Sequence, residues 1–162
     1  MALMTRVHLV ASGDQREAAN RTCWPAQADL EKRLEIAFRS RGVELVRAHQ
    51  VDDDGGHGFI ASQRQGLDVI RAIPPGEPVL VAVAAWQYSH HVLSGLLGYD
   101  GPVLTVANWS GTWPGLVGLL NLNACLLKAG REYSTLWSLD FQDEAAGRWI
   151  DEWVRTGRVT HD

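Results

Sequence analysis

The sequence predicts a three-layer α/β domain: a five-stranded parallel sheet of order 2-1-3-4-5 with helices on both faces, the flavodoxin-like (Rossmann-like) arrangement. Three observations carry this. Short apolar runs alternate five times with longer amphipathic ones. The third run, Val79 to Ala84, is continuous and small-branched, as a strand covered on both faces requires. Each strand is followed by a helix, which implies parallel pairing through right-handed crossovers.

The elements follow in order. Arg6 to Ala11 reads as a first strand ending in Ser12-Gly13-Asp14. From about Ala26 to Arg41, Leu30, Leu34, Ala37 and Phe38 recur at helical spacing with charges between them, and Gly42 closes the helix. Val43 to Ala48 is the second strand, followed by the acidic loop Asp52-Asp53-Asp54-Gly55-Gly56. A helix from near Phe59 to Ala72 stops before Pro74-Pro75-Gly76, and a short one from Ser89 to Leu97 follows the third strand. Val103 to Ala107 is the fourth strand. Thr112 caps the next helix, with Pro114 in its first turn and Gly130 just past its end. That helix is apolar on nearly every face, so it is either deeply buried or part of a subunit interface. Glu132 to Trp137 is the fifth strand, and the last amphipathic helix carries Ala145, Trp149, Ile150 and Trp153. No repeat or low-complexity linker divides the chain, so residues 1–162 are expected to form one domain. The run Arg158 to Asp162 is short and strand-like and leads nowhere, a sign that more protein once followed.

Composition removes several classes of function. A net charge of -4, a pI near 5.8 and the lack of a basic stripe argue against nucleic acid. No apolar run approaches the ~20 residues needed to span a bilayer, and Met1 to Thr5 is too short for a signal peptide. A cytoplasmic protein is the expectation. Cys23 and Cys125 fall in no metal-ligand spacing and read as reduced thiols.

The strand exits hold the chemistry. Ligands of open parallel sheets sit at the carboxyl ends of the strands. There the sequence sets Trp86, Trp109, Trp113 and Trp137 beside Gln87, Asn108, Ser110, Thr112 and Asp140. Flat rings among amides and hydroxyls suit a small polyol with apolar C–H faces. The same tryptophans would equally cover the sheet end or fill a subunit contact, since indoles bury large areas. Arg16, in the first loop, offers a fork of donors to a hydroxyl or carboxylate. That loop has neither the GxGxxG fingerprint nor a P-loop, so nucleotide binding has little support. The acidic loop with His49 and His57 invites a hard cation, but its spacing matches no EF-hand and a hydrated loop is the simpler reading. Adjacent His90 and His91 point about 100° apart on a helix, so one lines the crevice and the other lies at the surface. No catalytic residue and no metal ligand set is assigned in this chain.

Three stretches carry a resemblance: Ala84-Ala85-Trp86-Gln87-Tyr88-Ser89, Asn108-Trp109-Ser110-Gly111-Thr112-Trp113-Pro114-Gly115, and Tyr133-Ser134-Thr135-Leu136-Trp137 leading to Asp140-Phe141-Gln142-Asp143. In order and spacing they resemble the N-terminal region of the L-fucose isomerase and L-arabinose isomerase superfamily. The resemblance implies a trimeric or hexameric aldose–ketose isomerase using Mn2+ or a similar divalent metal. It further implies that the metal and the proton-shuttling carboxylates come from later domains. Arg16 and Trp86 match the loop arginine and the tryptophan that such domains lend to a neighbouring subunit's sugar pocket. The expected substrate-binding set is Arg16, Trp86, Gln87, Asn108, Trp109 and Trp113.

Two functions follow. The leading one is a substrate-lining, oligomerising domain of a sugar ketol isomerase, catalytically incomplete alone. The rival is a stand-alone, non-catalytic module that binds a sugar or a protein through its tryptophan-rich rim.

Overall fold

A computed structural model describes residues 2–85, 90–109 and 115–161. Five strands, β1 (Arg6–Val10), β2 (Glu44–Arg47), β3 (Val79–Val83), β4 (Val103–Asn108) and β5 (Ser134–Ser138), form one sheet. All pairings are parallel and the order is β2-β1-β3-β4-β5. Five helices connect or follow them: α1 (Glu17–Arg39), α2 (Gln63–Ala72), α3 (Leu93–Leu97), α4 (Gly115–Lys128) and α5 (Glu144–Thr156). The fold is therefore the three-layer α/β sandwich that the alternation predicts.

Alternate residues of each strand face opposite layers. Leu80, Ala82, Leu104, Val106 and Leu136 pack under α1 and α5, against Leu30, Leu34, Phe38, Ile150 and Trp153. Val79, Val81 and Val103 point the other way, onto Ile70, Leu96, Leu122 and Leu126 of α2, α3 and α4. Strands so covered on both faces are the reason the third run has no polar member.

Three element boundaries differ from the sequence reading. Helix α1 begins at Glu17, not near Ala26, and runs through Pro25. A mid-helix proline removes one backbone hydrogen bond at a cost of about 3 kcal/mol. The turns before it nevertheless stay helical because Asn20 and Cys23 are buried on the inner face. Helix α2 begins at Gln63, where Ser62 caps it by accepting from the Gln65 N–H, and not at Phe59. Phe59 and Ile60 are instead extended and buried beside the exit of β1. Helix α3 begins at Leu93, not at Ser89: among the described residues, His90 to Val92 precede it outside the helix. The Thr112 cap lies outside the described residues.

Helix α4 is neither wholly buried nor wholly exposed. Leu119, Leu122 and Leu126 face the sheet, and Asn123 is buried with them. Asn123 Nδ2 donates to Thr135 Oγ1 at 3.0 Å, and Thr105 Oγ1 donates to Asn123 Oδ1 at 2.6 Å, so a polar layer sets the helix register over β4 and β5. Val117, Leu120 and Leu127 are exposed on the opposite face. Among the described residues, no helix is long and apolar enough to cross a membrane.

Candidate functional site

The strand order reverses direction between β1 and β3. The chain leaving β1 goes to α1 on one face, and the chain leaving β3 goes to α3 on the other. The two strands part at their carboxyl ends and open a crevice, the usual ligand position in such sheets. Parting also strands backbone groups of β3 without a ladder partner. Gln27 of α1 supplies them: its Nε2 donates to the Ala82 carbonyl at 3.1 Å and its Oε1 accepts from the Ala84 N–H at 3.1 Å. Below the crevice lie Ala11, Cys23, Phe59 and Ala85, with Trp24 packed against them. Burial pushes the Cys23 thiol up, and the Asp14 charge adds to this, so Cys23 is a packing group.

The loop after β1 is tied down residue by residue. The Ala11 N–H donates to His49 Nε2 at 3.1 Å, and Gly13 and Ile60 join through the Gly13 N–H to Ile60 carbonyl bond at 2.8 Å. Asp14 is buried, and Asn20 clasps its backbone from the first turns of α1. Its carboxylate accepts from Arg16 Nε and Nη2, both at 2.9 Å, and from the Arg16 N–H at 2.8 Å. Hydrogen bonds from the Arg16 side chain hold the Asp14 carboxyl below the usual carboxylate range. The guanidinium is thereby aimed rather than loose, although its side chain is exposed.

The segment 57–60 closes the crevice on the β2 side. Arg47 pins it by donating to the Gly58 carbonyl at 2.7 Å while pairing with Glu31 through both Nε and Nη2. His57 is buried with both ring nitrogens engaged: Nδ1 accepts from the Phe59 N–H at 3.1 Å, and Nε2 donates to the Glu17 carboxylate at 2.9 Å. His49 is also committed, and burial, reinforced by the Arg47 charge, pushes its pKa down to about 3.

Across the crevice, Asn108 ends β4 and Trp109 follows it with its side chain in solvent, 59% exposed. The Trp109 N–H donates to the Ser138 carbonyl at 2.7 Å, which fixes the backbone beneath the ring. Asn108 Oδ1 is buried and has no hydrogen-bond partner among the described residues. A Cβ on Gly115 would come within 3.0 Å of the Val83 and Ala84 carbonyl oxygens and 2.8 Å of Asn108 Oδ1. Only glycine lets α4 start this close to the exit of β3.

No protein-family model, curated protein or solved structure matches this chain.

Of the expected binding residues, Arg16, Asn108 and Trp109 stand at the carboxyl end of the sheet, on the exits of β1 and β4. Trp86, Gln87 and Trp113 lie outside the described residues. Trp137 does not belong to the crevice. Its ring packs on Trp149 at 5.5 Å and stacks on His161 at 5.2 Å, because the residue sits on the edge strand. The acidic loop is a hydrogen-bonded turn in which Asp52 Oδ1 accepts from the Gly55 N–H and the Asp52 backbone pairs with His57. Among the described residues, no three His, Cys, Asp or Glu converge to hold a metal ion. The sequence reading did not single out Asn20 or Gln27, whose signal is only a buried polar residue inside an apolar helical pattern.

A cleft of about 900 Å³ lies at the opposite end of β4 and β5, beside Arg131, Tyr133 and His161. Its two arginines are engaged: Arg131 donates to the carbonyls of Leu96, Gly101 and Glu132, and Arg158 pairs with Glu132. Among the described residues, the buried side-chain polar atoms without hydrogen-bond partners belong to His91, Asn108 and Trp153, none of which lines this cleft.

Proposed function

We propose that this chain is a substrate-lining and oligomerisation domain of an aldose–ketose sugar isomerase of the L-fucose and L-arabinose isomerase type. The observation that carries the reading is the make-up of the crevice end of the sheet. An arginine held by a buried aspartate, an amide oxygen with no partner among the described residues and a solvent-facing indole stand at the exits of β1 and β4. Donors, an acceptor and an apolar face are what an uncharged polyol requires.

In this reading the divalent metal, Mn2+ or a similar ion, and the carboxylates that move the proton belong to other domains. The residues described here do not fit a metal, and their part is to bind and orient the sugar. Arg16 donates to hydroxyl oxygens, Asn108 Oδ1 accepts from a hydroxyl, and Trp109 covers C–H faces. The exposed row Val117, Leu120 and Leu127 on α4 supports a homo-oligomer, trimeric or hexameric, in which the crevice is completed by a neighbouring subunit.

The test is direct binding of L-fucitol and L-arabinitol, the reduced, non-cyclising alditols of the expected sugars, followed by calorimetry on the full chain. Millimolar affinity corresponds to about -4 kcal/mol, and Trp109→Ala is expected to weaken it roughly tenfold without lowering stability. Saturable binding by the wild type, lost in Trp109→Ala, supports the reading. Failure of both alditols to bind saturably overturns it.

A further inference from the structure

Three buried histidines surround the crevice, and two of them are fully explained by the loops they hold. His49 accepts from Ala11, and His57 bridges Phe59 and Glu17. The third, His91, is only 1% exposed, and neither ring nitrogen has a hydrogen-bond partner among the described residues. An imidazole always carries at least one N–H, so its burial without an acceptor costs stability that a phenyl ring would not.

The backbone that carries the ring is fixed in place. The His91 N–H donates to Ser12 Oγ at 2.9 Å, tying the residue to the loop after β1. On the other side, Gly66 of α2 packs so closely on the His91 carbonyl that a Cβ would collide with it. Val92, the next residue, is buried in the core. Its neighbour His90 takes the surface role, with Nε2 on Asn121 Oδ1 at 2.7 Å.

Charge decides what such a ring would recognise. Burial holds His91 below the ordinary imidazole range; the Asp14 carboxylate opposes this, and His90 adds to it. The ring therefore offers one donor and one acceptor, which is also what a hydroxyl group offers. An anion would meet the Asp14 charge. A metal would find no open carboxylate on Asp14, since both its oxygens accept from Arg16.

We propose that His91 is a hydroxyl-recognising residue of the crevice, its ring donating one hydrogen bond to an uncharged polyol and accepting another. This rests on the polyol reading above and adds the residue that discriminates hydroxyl position. A structural ring would be better as phenylalanine; a recognition residue would not.

The test follows the histidine ring nitrogens by long-range proton–nitrogen correlation in the full chain, with L-fucitol, L-arabinitol, inorganic phosphate and Zn2+ as separate probes. The expected result is a saturable shift of both His91 nitrogens with an alditol, while those of His49 and His57 stay put. His91→Phe is expected to melt at the same or a higher temperature yet bind the alditol at least tenfold more weakly, about 1.4 kcal/mol. His90→Gln serves as the control with unchanged affinity. Alditol binding that leaves His91 unmoved and is equal in His91→Phe overturns this proposal and leaves the polyol reading standing. A response of His91 to phosphate or Zn2+ alone, or no saturable alditol binding at all, overturns both. The wild-type spectra decide the matter even if His91→Phe does not fold.

Discussion

Asn20 clasps Asp14 by its main chain: the Asp14 N–H donates to Asn20 Oδ1 at 2.7 Å, and Asn20 Nδ2 donates to the Asp14 carbonyl at 2.8 Å. Both partners are buried, so the clasp, not the loop's own propensity, sets where Arg16 emerges.

Asn20→Ala leaves two buried backbone groups without partners and is expected to cost about 2–6 kcal/mol, at about 1–3 kcal/mol for each. Asn20→Asp keeps the acceptor but turns its second oxygen toward a carbonyl, and is expected to be no better. Urea midpoints check both. A loss below about 0.5 kcal/mol for the alanine variant would show that the loop holds itself.

His49 makes stability depend on pH in a stated direction. Its pKa falls from 6.5 to about 3 in the folded chain. Below 6.5 the unfolded chain takes up a proton that the native one refuses, so stability is intact above that value and is lost as pH falls toward about 3. By about pH 5 this amounts to about 2 kcal/mol relative to neutrality. The lowered His91 adds in the same direction. Denaturation of the wild type and of His49→Gln at both pH values isolates the His49 share. Parallel pH dependences in the two proteins would exclude His49 as the source.

The exposed face of α4 is expected to associate. Burying a leucine is worth about 1.5–3 kcal/mol, so Leu120→Lys should weaken self-association at least tenfold while leaving the fold intact. Sedimentation velocity over a concentration series reads this. A wild type that stays monomeric throughout would remove the oligomer reading.

Strand number, strand order and the layer structure were legible in the sequence because they follow from periodicity and chain connectivity alone. The run Val79 to Ala84 could be nothing other than a doubly covered strand. Other features required the folded chain. The helical spacing begins near Ala26, yet α1 starts at Glu17 and passes through Pro25, with Asn20 and Cys23 buried on its inner face. Phe59 and Ile60 fit an amphipathic helix by spacing, but the exit of β1 needs a partner, and Ile60 pairs there. Trp109 follows the end of β4, whereas Trp137 lies inside the edge strand β5 in register with Ala107, a difference that only the folded sheet fixes.

The sequence by itself therefore determined the sheet and its order, since period and crossover handedness are local or topological rules. The tertiary structure alone decided which polar side chains are committed to holding loops and which retain unused hydrogen-bonding capacity. His49, His57 and His91 are the same residue type in similar loops. The partners that commit the rings of His49 and His57 come from 38 and 40 positions away, while the His91 ring meets none among the described residues, and no local pattern records this.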